Sequence, residues 1–303
     1  VYKRQILPFI GCSISKSTFL STIHFNPDAA IKALIEKEVS IAFPAFPAVM
    51  VALSNHNKFT PDNLSKLRII NNVAPIETLR TFQNKVPQAS QVSAYGLTEV
   101  GGVTSFGSPD DPLEHRLTTC GKPWPEVEIR ILDPETNQVL SNEEKGLIEI
   151  RGPHVFSGYL NDKEATKNAL SDDGWFSTGD VGSLTNDGYI RYHGRIKDML
   201  KVGGENVAAL EIEAYFDSHE KVLISQVIGI EDDHLGEVPA VFIEKKPGVK
   251  ISKDELVDFC IGQISNFKIP RYIVFVNEWP MSSTKVQKFK LKDLDLGEKV
   301  FGN

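Results

Sequence analysis

Between Pro27 and Glu38 the apolar residues Ala30, Ile31, Leu34 and Ile35 recur on one face at helical spacing. They follow Asn26, a capping residue, with proline in the first turn, so the pattern predicts a helix. Val39 to Phe43 is a short apolar run that predicts a strand, and Pro47 to Leu53 predicts another helix. Leu67 to Ile70 (strand), Ile76 to Asn84 (helix) and Gln91 to Tyr95 (strand) continue the alternation. Strands alternating with helices predict a parallel α/β sheet, with ligands in the loops beyond its strand ends.

From about Thr118 the pattern changes. Val127 to Leu132, Gly146 to Arg151 and Tyr189 to Tyr192 predict strands, separated by the turn signals Asp133-Pro134 and Asn186-Asp187-Gly188. This stretch reads as β-rich and barrel-like. Near Arg195 it changes again. Ala208 to Ser218 predicts a helix, Val222 to Ile230 and Val238 to Glu244 strands, Ser252 to Ile264 a helix behind a serine cap, and Tyr272 to Val276 a last strand. The expected class is α/β. A partial parallel α/β subdomain (1–117) and a β-barrel-like subdomain (118–195) form one large domain (1–195), followed by a small α+β domain (196–303). No repeat or low-complexity linker intervenes, which predicts a compact joint near Arg195.

With 303 residues, 41% hydrophobic and 24% charged, the chain has the composition of a globular protein with room for more than one domain. A net charge of −7 argues against a nucleic-acid or anionic-membrane partner. Lys285, Lys288, Lys290 and Lys292 form a local basic exception. Cys12, Cys120 and Cys260 are far apart and lack metal-ligand spacing, which predicts free buried thiols in a reducing compartment, the cytoplasm. No stretch approaches the roughly 18 apolar residues of a membrane span. The Ile6-Leu7-Pro8-Phe9-Ile10 run is too short and proline-broken for a signal peptide. The chain begins at Val1 within what reads as ordered sequence, so a fragment is expected.

Four motifs offer chemistry. Tyr95-Gly96-Leu97-Thr98-Glu99 ends a predicted strand. Gly96 permits a tight turn and a close approach of the backbone to a bound nucleotide, the Thr98 hydroxyl suits a phosphate, and the Glu99 carboxylate suits Mg2+. Its plain alternative is a solvated turn. In Gly174-Trp175-Phe176-Ser177-Thr178-Gly179-Asp180, an aspartate after a glycine turn could accept two ribose hydroxyls, or it could cap local amides. The Tyr192-to-Val207 stretch, with His193, Arg195, Lys197, Gly203 and Gly204, lies at the joint; its alternative is a basic surface hairpin. Pro280 to Lys288 is a small-residue loop with Lys285, able to swing an ammonium into a site or to remain a solvated tail.

In this order and spacing the four motifs resemble the adenylate-forming superfamily: acyl- and aryl-CoA synthetases, peptide-synthetase adenylation domains and firefly luciferase. The resemblance runs from about Phe25 to Leu294. Lys145 to Tyr159 (KGLIEIRGPHVFSGY) and Phe267-Lys268-Ile269-Pro270-Arg271 add to it. It implies ATP, Mg2+ and coenzyme A as ligands. Tyr95 would pack on adenine, with Asn72-Val73-Ala74-Pro75 opposite, and Tyr192 would belong to the same nucleotide site. Thr98 would meet the α-phosphate and Glu99 would bind Mg2+. Asp180 and Arg195 would hold the ribose. Lys197 would be the hinge of a mobile small domain, and Gly203 and Gly204 would line the pantetheine tunnel. Lys285 would be the mobile catalytic lysine. Phe46-Pro47-Ala48 and Gly101-Gly102 would contact the acyl chain.

The sequence departs from that pattern in three places. Asn72-Val73-Ala74-Pro75 stands where Gly-Gly-Ala-Pro is usual. Thr284 abuts Lys285 without the usual glycine, which leaves Lys288 as an alternative catalytic lysine. Nothing matches the upstream glycine-rich phosphate loop. The expected function is an AMP-forming carboxylic acid–CoA ligase, of which this chain would be the C-terminal part, inactive in adenylation by itself. The alternatives are an amino-acid-activating domain serving a carrier protein and a non-catalytic nucleotide-binding fragment.

Overall fold

The computed structural model describes residues 2–22, 24–44, 47–74, 76–282 and 286–302. The first element, α1 (Tyr2–Ser15), is a helix that the apolar pattern does not predict. Pro8 lies inside it, and Ile6, Phe9 and Ile14 are exposed. The next helix, α2 (Pro27–Glu36), starts where predicted, with Asn26 Oδ1 accepting the Ala29 N–H at 2.9 Å. It stops two residues early because Glu38 takes a left-handed φ of 47°.

There follow β1 (Ile41–Ala42), α3 (Pro47–Ser54), β2 (Ile69–Asn71), α4 (Ile76–Lys85) and β3 (Ser90–Val92). The strands form a parallel sheet in the order β1-β2-β3, with Ile41 opposite Ile69 and Ile70 opposite Gln91. Ile31, Met50, Phe59, Leu67, Ile70 and Phe82 are buried together around it. Each such side chain stabilises the fold by about 1.5–3 kcal/mol through removal from water.

The predicted strand Gln91 to Tyr95 is two strands. It breaks at Ser93, whose carbonyl accepts the Gly107 N–H at 2.9 Å. Beyond the break, β4 (Ala94–Tyr95) leaves the parallel sheet and pairs antiparallel with β5 (Ser105–Phe106). After α5 (Leu113–Thr118), β6 (Lys122–Pro123) completes that small sheet.

The β-rich stretch comprises β7 (Glu128–Leu132), β8 (Gly146–Arg151), the helix α6 (Lys163–Ala169), β9 (Phe176–Leu184) and β10 (Ile190–Arg195). The strands form an open sheet in the order β10-β9-β8-β7, and no closed barrel forms among the described residues. Strand β9 corrects the reading of Asp180 as a turn residue. The turn lies earlier, at Gly174, and Asp180 sits inside a nine-residue strand whose stretch from Asp180 to Ser183 is buried.

The remaining elements are β11 (Met199–Val202), β12 (Glu205–Ala208), α7 (Ala209–Asp217), β13 (Val222–Asp232), β14 (Gly236–Lys245), α8 (Lys253–Cys260) and β15 (Tyr272–Phe275). Their sheet runs β12-β11-β14-β13, with β15 parallel to β14. Val238 to Ile243 of β14 are all buried, because both faces of the sheet are covered. Ile212, Phe216, Leu256 and Cys260 of α7 and α8 pack with Val241 and Ile243. Ile228, Phe242 and Leu291 form a second cluster. Helix α8 ends four residues before its predicted limit, because Ile261 is extended and Gly262 takes a φ of 73°.

The chain clusters into two units, Val1–Thr178 with Gly182–Tyr192, and Gly179–Val181 with His193–Asn303. All three cysteines are free. Cys260 is buried as expected, whereas Cys12 and Cys120 are only half-buried.

Candidate active site

In the first unit the Tyr95–Glu99 motif forms a closed loop at the end of β4. Thr98 and Glu99 begin a single 3-10 turn, Thr98–Val100, that Gly101 ends with a φ of 68°. The Gly102 N–H reaches Leu97 O at 2.9 Å, and the Thr104 N–H reaches Tyr95 O at 2.8 Å. Gly96 is required by this closure. A Cβ there would lie 2.4 Å from Gly102 O and 2.5 Å from Val103 Cα, both backbone atoms. The close approach is therefore to the loop's own chain. Thr98 is exposed and Glu99 half-buried, so both functional groups are accessible.

Tyr95 is buried, with its ring 5.9 Å from that of Tyr192. Asn72 follows β2 and binds Val92 O through its backbone N–H at 3.1 Å. Its carboxamide is fully buried, and neither polar atom has a hydrogen-bond partner among the described residues. A buried amide in that state is rare in folded proteins and calls for a ligand or water partner. Val73 is exposed, and Ala74 packs on the core beneath the parallel sheet.

A segment with no role assigned from sequence grips Glu99. The Phe156 N–H donates to Glu99 O at 2.8 Å, and the Tyr159 hydroxyl donates to Glu99 Oε1 at 3.2 Å. His154 Nε2 lies 2.8 Å from the buried Thr104 hydroxyl, and burial lowers the pKa of this imidazole. The signal was present, since Tyr159 closes the KGLIEIRGPHVFSGY stretch. Its partner lies 60 residues away and is invisible to spacing arguments.

Among the described residues no group of three or more His, Cys, Asp or Glu could cage a metal ion. Glu99 offers one carboxylate, with Oε2 free of protein hydrogen bonds among the described residues. That donor set fits Mg2+, which binds through one or two carboxylates and substrate phosphates.

In the second unit Arg195 Nε donates to Asp180 Oδ1 at 2.9 Å. The Asp180 side chain is 8% exposed and that of Arg195 40%. The guanidinium thus holds and aims a buried carboxylate. Lys197 is exposed in a single 3-10 turn, Ile196–Asp198. Gly203 and Gly204 form the two-residue turn joining β11 to β12, with φ of 60° and 88°, values that favour glycine in tight hairpins. Only the Met199–Ala208 part of this stretch is a hairpin.

Lys285, Thr284, Ser283, Pro75 and Phe46 lie outside the described residues. Lys288 does not. Its Nζ lies 2.5 Å from Glu213 Oε1, and the Glu213 side chain is 7% exposed.

Two family models match the sequence in succession: AMP-binding enzyme over residues 12–160 and AMP-binding enzyme C-terminal domain over residues 211–286. The chain belongs to the AMP-binding enzymes. This AMP-binding enzyme is 35% identical over 292 residues to a putative acyl-CoA synthetase, YngI, of Bacillus subtilis, covering 95% of this chain and 53% of that protein. It is 36% identical over 273 residues to the mitochondrial medium-chain acyl-CoA ligase ACSF2 of Homo sapiens, covering 89% and 44%. Among solved structures it superimposes on ATP-bound MatB from Rhodopseudomonas palustris with a TM-score of 0.82 at 29% identity, covering 91% and 55%. It matches o-succinylbenzoate CoA synthetase from Bacillus subtilis, in complex with an acyl-adenylate intermediate, with a TM-score of 0.84 at 27% identity, covering 98% and 60%. The chain spans about half the length of the curated relatives it matches. None of its described helices is long and apolar enough to cross a membrane.

Proposed function

We propose that this chain is a fragment of an ATP-dependent, AMP-forming carboxylic acid–CoA ligase of fatty or aryl acids. The single observation that carries the reading is its similarity to acyl-CoA synthetases over nearly its whole length. In the first half-reaction a carboxylate oxygen attacks the α-phosphorus of ATP, and pyrophosphate leaves. In the second, the CoA thiol attacks the acyl carbon, and AMP leaves.

Two anions must meet in the first step, so positive charge has to offset the repulsion. Mg2+, when bound, would supply part of it by polarising phosphate oxygens. Glu99 would hold that cation through its carboxylate. The Thr98 hydroxyl orients the α-phosphate from the same exposed turn. Tyr95, Tyr192 and the Asn72–Ala74 segment hold adenine, and the orphaned Asn72 amide supports that role. Asp180, oriented by Arg195, accepts the ribose hydroxyls. Lys285 bridges the carboxylate and the α-phosphate. The Glu213 ion pair holds Lys288 in a structural role and so supports Lys285 as the mobile group. Lys197 serves as the hinge that withdraws Lys285, and Gly203 and Gly204 line the pantetheine path in the second step.

Three free cysteines support a reducing compartment such as the cytoplasm as part of this proposal. A panel of fatty and aryl acids given to the complete protein, with AMP release measured with and without CoA, tests the ligase reading. Acid-dependent AMP release that turns over only with CoA supports a ligase. Efficient turnover of amino acids with a carrier protein, or none with any acid, contradicts it.

A further inference from the structure

We propose that Tyr159 is a positioning residue, whose hydroxyl fixes the Glu99 carboxylate so that Oε2 faces the cation. This rests on the reading of Glu99 as the cation ligand. The carboxylate torsion of a glutamate is broad, so a half-exposed Glu99 would otherwise sample many orientations. The Tyr159 hydroxyl donates to Oε1 at 3.2 Å. That is somewhat longer than the roughly 2.5–3.0 Å of a settled O–H···O bond, as catalytic hydrogen bonds often are before substrate binds.

The donor is itself held in place. The Tyr159 N–H bonds Thr166 Oγ1 at 2.9 Å, and that hydroxyl bonds Asp162 O at 2.8 Å. Asp162 Oδ1 caps α6 through the Ala165 N–H at 2.9 Å. The Tyr159 ring stands edge-on to Phe156 at 4.8 Å, and Phe156 stands edge-on to Phe176 at 5.3 Å. The Phe156 N–H fixes the Glu99 carbonyl, so one segment holds both the backbone and the side chain of Glu99.

A neutral phenol suits this role better than a lysine or arginine would. It orients the carboxylate without neutralising the charge that attracts the cation. Partners of this kind, one step removed from a metal, affect metal affinity without touching the metal.

The test is a Mn2+ titration followed by electron paramagnetic resonance, on the complete protein with a non-hydrolysable ATP analogue. Tyr159→Phe keeps the ring packing and removes only the hydroxyl. It is expected to weaken Mn2+ binding about tenfold. Its kcat should recover at saturating Mg2+, and its thermal melting should match wild type. Glu99→Gln should weaken binding at least as much, and adding Tyr159→Phe to it should change nothing further. Wild-type Mn2+ affinity in Tyr159→Phe, with loss in Glu99→Gln, overturns the positioning role and leaves Glu99 as ligand. Wild-type affinity in Glu99→Gln overturns the ligand reading and this inference with it. Should Tyr159→Phe fail to fold, Glu99→Asp makes the same comparison. It keeps the charge and draws it away from the hydroxyl, so unchanged Mn2+ affinity there also overturns the proposal.

Discussion

Lys288 Nζ lies 2.5 Å from Glu213 Oε1, and the same carboxylate oxygen accepts the Val227 N–H at 2.8 Å. Lys288 also reaches Val227 O at 3.3 Å. The lysine therefore ties its own segment to α7 and β13. Breaking a buried pair strands the remaining charge. Lys288→Met should destabilise the protein by about 3 kcal/mol, read from urea unfolding. Lys285→Ala should leave that stability unchanged. Equal stability of Lys288→Met and wild type would remove the structural role assigned to Lys288.

The same neighbourhood sets a pH dependence. Burial pushes the Asp217 carboxyl up to about 7, against hydrogen bonds from Ser225 that lower it, and the Glu213 charge adds to the rise. The folded state thus binds this proton more tightly than the unfolded chain. Its stabilising contribution is complete below the unfolded value near 3.8 and is lost as pH rises through about 7. Unfolding free energy should accordingly fall from pH 4 to pH 7 at this site. Asp217→Asn still accepts from the Ser225 N–H and hydroxyl, so it should flatten that slope. An unchanged slope would locate the titration elsewhere.

Gly96→Ala should damage the Thr98–Glu99 loop from within. Its new methyl group would press on the Gly102 carbonyl and Val103 Cα, neither of which can rotate away. Overpacking of this kind costs about 1–3 kcal/mol. Reduced stability together with loss of ATP binding is the expected result. Normal binding would show that the loop accommodates the change.

Asp180→Asn should discriminate between ribose and deoxyribose. Hydrogen bonds to an ionised group contribute more than neutral ones, so ATP binding should weaken about tenfold or more. The affinity for 2′,3′-dideoxy-ATP should be the same in variant and wild type. A parallel loss for both nucleotides would make Asp180 a purely structural partner of Arg195.

The elements legible in sequence were those with strict local patterning. Strand β8, with buried Gly146, Ile148 and Ile150 alternating with half-buried Leu147, Glu149 and Arg151, has the predicted bounds; α2 carries its own cap and proline. Strand β9 was missed because Gly179 and Gly182 imitate turn signals, while its stretch from Asp180 to Ser183 is buried by tertiary packing. The break at Ser93 depends on Gly107, fourteen residues on, which no local pattern encodes. Likewise the motif around Glu99 could be read in the sequence, but its clamp by Phe156 and Tyr159 could not. The Glu213 pairing with Lys288 spans a still longer separation, which no spacing argument reaches.

The central claim is that Lys285 draws the carboxylate and the α-phosphate together. Carboxylate-dependent pyrophosphate–ATP exchange by the complete protein, with Lys285→Ala against wild type, tests it most directly. The account predicts that exchange falls by at least about a hundredfold, the cost of removing a group that stabilises developing charge. Thioester formation from supplied acyl adenylate and CoA should be largely spared. Exchange at the wild-type rate in Lys285→Ala would contradict the account.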